Sequence, residues 1–277
     1  MISLFKYKIR PIILTAIAPI AGFTFIYLLE VFLNIEFSKQ LSAVFNLIVV
    51  ALIAFFVFPK RLGIPFGKVE TRVFLRKFGL YPPKNGWKHV ILGLMLSGCT
   101  LSGMLIASIF TGRYIVDLGA INVPHLLFSL NPALWEELFF RGVMMIWLLK
   151  INHPLRRASL IQLFLFGVMH IKGISLLAIV DAFSVVVIAV GLMYAAHKTR
   201  SLLASMVFHY FHDAFLLFVR VPNGEYFGIA ENTMFYGSLW LMIGIGCIVT
   251  KYFSEKFGVR VVEEMYSLLE KKDDFQA

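Results

Sequence analysis

Within an apolar stretch of membrane-spanning length, Asn131 to Gly142 reads NPALWEELFFRG and holds two carboxylates and a guanidinium, Glu136, Glu137 and Arg141. Further along, His170 and then His209, His212 and Asp213 fall in apolar surroundings of the same kind. A charged side chain near the bilayer centre costs at least ~2.5 to 3.5 kcal/mol, so these groups must face protein or trapped water rather than lipid. A carboxylate and an imidazole set on one water can take its proton and later hand it to a leaving amine. A second imidazole, with a hydrogen-bonding carboxyl or amide, can stabilise an oxyanion. Together these are the parts of peptide hydrolysis without a protein nucleophile. The chain has no HExxH zinc motif and no GxSxG nucleophile elbow, and neither Cys99 nor Cys247 lies among the polar groups. Glu136, His170, His209 and Asp213 are also ordinary ligands for a divalent metal such as zinc, so a metal-held water is an open alternative.

The elements that must position these residues are membrane helices. Of 277 residues, 59% are hydrophobic and only 15% charged, with a mean hydropathy of +0.82, which excludes an ordinary soluble composition. Two cysteines inside apolar segments give no disulfide framework and no CxxC site. The formal charge of +10 would raise nucleic acid as a partner in a soluble protein. Here the basic residues flank apolar runs, where they set topology and meet anionic lipid headgroups, so the partners expected are membrane lipids and no nucleic acid.

Spans of about 20 mostly apolar residues are expected at roughly 11–33, 41–58, 89–110, 124–149, 158–171, 175–195, 201–220 and 233–253. The basic N-terminal start is read as part of the first span, because its apolar run continues past the length of a signal-peptide core. The fold class is therefore all-α: a polytopic bundle of about eight transmembrane helices with a membrane-embedded site. It is read as one integral membrane domain over 1–277, with a catalytic core at 120–220. Lys and Arg are one-sided across these spans. With Arg141 set aside, only Lys39, Arg113, Lys172 and Arg220 fall opposite the rest, which predicts an even number of spans with both termini cytoplasmic. The segment 59–88 alternates basic with apolar residues as an interfacial helix would, and 254–277 reads as a cytoplasmic amphipathic tail.

Local spacing then assigns partners. Asn131 followed by Pro132 reads as a helix start or kink. Glu137 and Arg141 are four apart and can pair on one helical face, whereas Glu136 points about 100° away and has no partner in its own helix. His209 and Asp213 are four apart, with His212 three from His209, so one face of the seventh span carries imidazole and carboxyl together. At ~1.5 Å per residue from the cytoplasmic ends, Glu136 lies roughly 21 Å deep, His170 roughly 18 Å, and His209 and Asp213 roughly 12 and 18 Å, one layer in the membrane. Asp181, in the sixth span, lacks an obvious local partner.

These residues resemble a known family. Glu136, Glu137 and Arg141 match an EExxxR motif, Phe166 and His170 an FxxxH motif, and His209 with Asp213 an HxxxN or HxxxD motif. The three occur in order, each on its own hydrophobic span. They are similar to those of the CAAX protease and bacteriocin-processing family, also called the Abi family, which includes the type II CAAX prenyl endopeptidases. The likeness covers about Asn131 to Phe215. It implies that Glu136 and His170 activate the attacking water, that Glu137 pairs with Arg141 in support, and that His209 and the residue at Asp213 stabilise the oxyanion. The prenyl endopeptidases typically carry Asn at that last position. An ionised Asp would repel an oxyanion, so Asp213 must be protonated, orient His209 or His212, or hold a metal. His212 lies outside the motif and is read as a supporting residue.

The function expected is hydrolysis of a peptide bond in a lipidated, CAAX-like protein or in a small hydrophobic peptide precursor such as a bacteriocin, in the cell membrane. Two other classes stay open at this point. The same polar layer would serve as the proton relay of a transporter, although no matched halves of the kind transporters show are visible. A non-catalytic bacteriocin immunity protein is the other.

Overall fold

The computed structural model describes residues 85–111, 115–116, 123–150, 154–171, 173–220 and 229–257, with positions 32, 44, 48, 52 and 79 besides. The first two expected spans, most of the interfacial segment at 59–88 and the tail beyond Phe257 lie outside the described residues. Helix α1 covers Gly86–Thr111 and α2 covers Val123–Glu136. The chain then winds as a π-helix over Glu137–Met144 and returns to α-helix in α3, Met145–Lys150. Helices α4 (Leu155–Met169), α5 (Leu176–Thr199), α6 (Leu203–Phe218) and α7 (Ile229–Lys256) follow.

The described part is thus helical, apart from one short antiparallel pair. In it Ile115–Val116 (β1) joins Val219–Arg220 (β2), with Ile115 opposite Arg220. Helical runs fall within a few residues of each of the last six expected spans. Three stretches are long and apolar enough to cross a membrane, Gly86–Phe110, Ala178–Thr199 and Thr233–Lys256, and the chain is a membrane protein.

Helices can occupy hydrocarbon because every backbone group is satisfied within the segment, and hydroxyl side chains must be satisfied as well. Here they bond back along their own helices. Ser97 Oγ donates to the Gly93 carbonyl at 2.8 Å, Ser184 to Val180 at 2.9 Å, Thr199 to Ala195 at 2.8 Å and Thr250 to Gly246 at 2.8 Å. Helix α5 opens on Ser175, whose side chain accepts from the Ala178 amide at 3.1 Å, and closes on Arg200 in the left-handed conformation, φ 53°. The turn into α6 is tied to Gly79, whose carbonyl accepts from the Leu202 amide at 3.1 Å and the Ser201 hydroxyl at 3.3 Å.

Pro132 is not the start of a helix. It sits inside α2, which begins at Val123, and its missing N–H withdraws one backbone bond five residues before the π winding begins.

Two apolar clusters hold the bundle. One gathers the π segment and α3 against α4 and α5, through Phe139, Phe140, Met145, Leu148, Phe166 and Ala189. The other gathers α1 and α7 against α5 and α6, through Leu92, Leu96, Leu192, Phe208 and Ile243. Close approach of α1 to α6 depends on Gly93, where a Cβ would stand 2.6 Å from Val207 Cβ and 2.8 Å from the Ala204 carbonyl. Gly167 does the same between α4 and α5, against Val186. Helix α5 belongs to both clusters, while α6, which carries His209, packs on α1 and α2.

Candidate active site

Glu136 ends α2 and Glu137 opens the π segment, so the two carboxylates straddle a change of winding. In a uniform α-helix they would diverge by about 100°. Here both reach the same imidazole. His209 Nδ1 lies 2.8 Å from Glu137 Oε1, and His209 Nε2 lies 3.8 Å from Glu136 Oε2.

Glu137 also takes Arg141 Nη1 on the same Oε1 at 3.0 Å, and neither side chain of that pair is exposed. The expected pairing of Glu137 with Arg141 is therefore present, with His209 added to it. Arg141 is further enclosed by the Phe166 ring, 4.4 Å from the guanidinium carbon, and its Nη2 reaches the Ala189 carbonyl at 3.5 Å. A buried guanidinium paired with a carboxylate and lying on an aromatic face is the arrangement in which arginine tolerates burial.

His170 is the residue just past the end of α4. Its Nδ1 donates to the Phe166 carbonyl at 2.8 Å. A carbonyl only accepts, so that bond puts the proton on Nδ1 and leaves Nε2 to face Glu136 Oε2, 3.9 Å away. The same logic holds at His209: a carboxylate already engaged by Arg141 accepts from Nδ1–H and leaves Nε2 turned to Glu136 and to Asp213 Oδ2, which is 3.6 Å away.

Three polar atoms, Glu136 Oε2 and the Nε2 atoms of His170 and His209, thus face one another at separations too long for direct hydrogen bonds. Glu136 Oε2 is buried and has no hydrogen-bond partner among the described residues. The His170 side chain is 27% exposed and that of Asp213 26%, so the cluster reaches the protein surface on those two sides.

His212, expected in support, is buried one turn along α6. It lies edge-on to Phe208 with centroids 6.1 Å apart, and its Nδ1 has no hydrogen-bond partner among the described residues. Among the described residues no ion pair joins it to Glu136 or Glu137. Asp181 is engaged elsewhere, accepting from the Tyr236 hydroxyl across α5 and α7.

Phe166 is the residue whose part was not legible beforehand. Its carbonyl fixes the His170 tautomer, and its ring touches His170, with centroids 4.5 Å apart, while also covering Arg141. The only signal in the sequence was its place four residues before His170.

The metal reading fares differently. Among the described residues no group of three or more His, Cys, Asp or Glu side chains is arranged to hold a metal ion. The Nδ1 atoms of both histidines are committed to protein acceptors, which leaves their Nε2 atoms as the ring nitrogens that face Glu136.

Residues 120–215 match the family model described as type II CAAX prenyl endopeptidase Rce1-like. That segment includes Glu136, Glu137, Arg141, Phe166, His170, His209 and Asp213, so the likeness carried by the three motifs holds at the level of the family model. No curated protein and no solved structure matched the chain.

Proposed function

We propose that the chain is an intramembrane endopeptidase of the CAAX type, in which Glu136 activates water with the help of His170 and His209. The observation that carries this reading is the convergence of Glu136 Oε2 with His170 Nε2 at 3.9 Å and His209 Nε2 at 3.8 Å. Atoms at that separation can share one water, each about 2.8 Å from it.

In the proposed reaction Glu136 takes a proton from that water, assisted by His170, and the hydroxide attacks the carbonyl carbon of the scissile peptide bond. Charge grows on the carbonyl oxygen as the tetrahedral intermediate forms. His209, held on Nδ1 by Glu137, presents Nε2 to that oxygen, and a proton on Nε2 makes it the oxyanion donor. Asp213, 3.6 Å from Nε2, orients His209 and balances its charge rather than meeting the oxyanion itself. The proton on Glu136 passes to the leaving nitrogen, the C–N bond breaks, and a carboxylate and an amine leave. Glu137 and Arg141 neutralise each other and hold His209 in register.

The substrate class is a lipidated, CAAX-like protein or a small hydrophobic peptide precursor, because a site among apolar helices favours substrates that partition into the membrane. The full arrangement of about eight spans with both termini cytoplasmic, a catalytic core at 120–220 and residence in the cell membrane belong to the same proposal. A transporter's relay would run as a chain of linked groups through the bundle, whereas the contacts of Glu136, Glu137 and Asp213 here converge on His209.

The test uses purified protein in nanodiscs with a panel of membrane peptides, including a prenylated C-terminal peptide, and reads products by mass spectrometry. Wild-type protein is expected to cleave at least one member, and Glu136→Gln to lose about 10² to 10⁴-fold of the rate, the usual contribution of a general base. Full activity in Glu136→Gln would sink the mechanism.

A further inference from the structure

Eight residues before His170, α4 carries a second polar side chain that the proposed mechanism does not use. Gln162 is 0% exposed, and among the described residues neither its amide oxygen nor its amide nitrogen has a hydrogen-bond partner. A glutamine amide can make four hydrogen bonds, two as donor and two as acceptor. Leaving all of them unmade in a bundle core is unfavourable, and leucine would fill a similar volume without that cost.

The position has a register. Gln162, Phe166 and His170 are four apart on one face of α4, about 6 Å per step along the axis. Ser159, also buried, lies three residues before Gln162 on the same side. The next residue on that face, Phe166, supplies the carbonyl that holds His170. Ser159, Gln162 and the Phe166 carbonyl are thus polar groups spaced along α4 between its Leu155 end and His170.

We infer that Gln162 is a water-binding station on the α4 face that leads to Glu136, and that it supplies the water the site consumes. The occupant must be small, because the side chain is wholly enclosed. It must be a donor and it must be an acceptor, because the amide offers both. Water meets all three requirements, and buried water characteristically joins polar groups that lack protein partners. This rests on the hydrolase reading, in which each turnover uses one water inside an apolar bundle.

The experiment has two arms. Hydroxyl-radical footprinting of the protein in nanodiscs, read by mass spectrometry, detects water held beside reactive side chains; Phe166 and Met169 are the reporters. Wild-type protein is expected to label at these residues, and Gln162→Leu to label about fivefold more slowly, as expected if a polar site of this kind is dried. With a peptide that the wild type cleaves, Gln162→Leu is expected to lower kcat about tenfold or more with KM unchanged, and Gln162→Asn to recover part of the loss. Thermal unfolding of the same variants separates this from misfolding, because Gln162→Leu should unfold at the wild-type temperature or above. Unchanged labelling in Gln162→Leu, or unchanged kcat, overturns the inference. If the wild type cleaves no peptide, the hydrolase reading fails, and the labelling arm alone decides whether Gln162 binds water.

Discussion

Separating Glu137 from Arg141 should be far more damaging than removing both. The pair is fully enclosed, with Arg141 Nη1 3.0 Å from Glu137 Oε1 and no exposure of either side chain. Losing Glu137 strands Arg141 as an uncompensated buried charge, and losing Arg141 leaves Glu137 with His209 Nδ1 alone; breaking a buried pair in this way costs roughly 3 to 5 kcal/mol. That is a large part of a typical total stability of about 5 to 15 kcal/mol. Glu137→Leu also removes the acceptor for His209 Nδ1, adding a charge-assisted hydrogen bond of about 1.5 to 3 kcal/mol. Each single variant, Glu137→Leu or Arg141→Leu, should therefore unfold at a much lower denaturant concentration or temperature than the wild type. The double variant removes both charges together, and replacing a buried ion pair by apolar side chains is often neutral, so it should recover most of the loss, with a coupling energy of about 3 kcal/mol. It should nonetheless be inactive, because His209 no longer has the partner that fixes its Nδ1. Equilibrium unfolding in detergent, together with the peptide-cleavage assay, measures both effects. Additive losses in the double variant, or single variants within about 1 kcal/mol of wild type, would refute the argument from buried charge.

Further outcomes follow from the same geometry. Asp213→Asn should fold normally and keep cleavage within about tenfold of wild type, since an amide can still orient His209 Nε2, whereas Asp213→Leu should lose considerably more; initial rates on the cleaved peptide decide it. Gly93→Ala should destabilise by about 1 to 3 kcal/mol, because the new methyl meets the Ala204 backbone oxygen and Val207 Cβ below contact distance, and thermal unfolding reads the loss. A divalent-metal chelator should leave the cleavage rate within about twofold, because the donors around Glu136 do not form a metal-ligand set; loss of activity on chelation with recovery on adding zinc would contradict this.

The sequence made the helical runs readable because burial in lipid leaves so few alternatives: α1, α5 and α7 above all announced themselves by length and apolar composition. It also exposed the polar residues, since Glu136, Arg141, His170 and His209 are expensive in such surroundings and stand out against them. Contacts that depend on backbone groups were less legible. The bond from His170 Nδ1 to the Phe166 carbonyl has no side-chain signature beyond the four-residue spacing. The link from Arg141 to the Ala189 carbonyl, 48 residues away, has none at all. His212, expected in support because of its nearness to His209 in sequence, lies with its ring edge-on to Phe208.

The π winding of Glu137–Met144 is the feature that periodicity alone could not have revealed, and it begins at the second of the two adjacent glutamates that face one imidazole. An α-helix would give Glu137 and Arg141 one face and turn Glu136 away by about 100°. A π-helix closes its bonds at i+5 and winds more slowly, so successive side chains diverge less. Glu136, still in α-helical conformation at the start of that winding, faces His209 at 3.8 Å while Glu137 holds the other ring nitrogen at 2.8 Å. Such windings are rare and concentrate at functional sites, because their looser backbone bonding must be compensated by packing. Here the compensation is visible: all eight residues of the segment are buried, and Phe140 stacks edge-on to Phe166, which in turn supports His170 and Arg141. The local irregularity and the polar cluster are therefore one structural fact, in which the apolar packing around Phe140 and Phe166 stabilises a backbone that brings two carboxylates to one histidine.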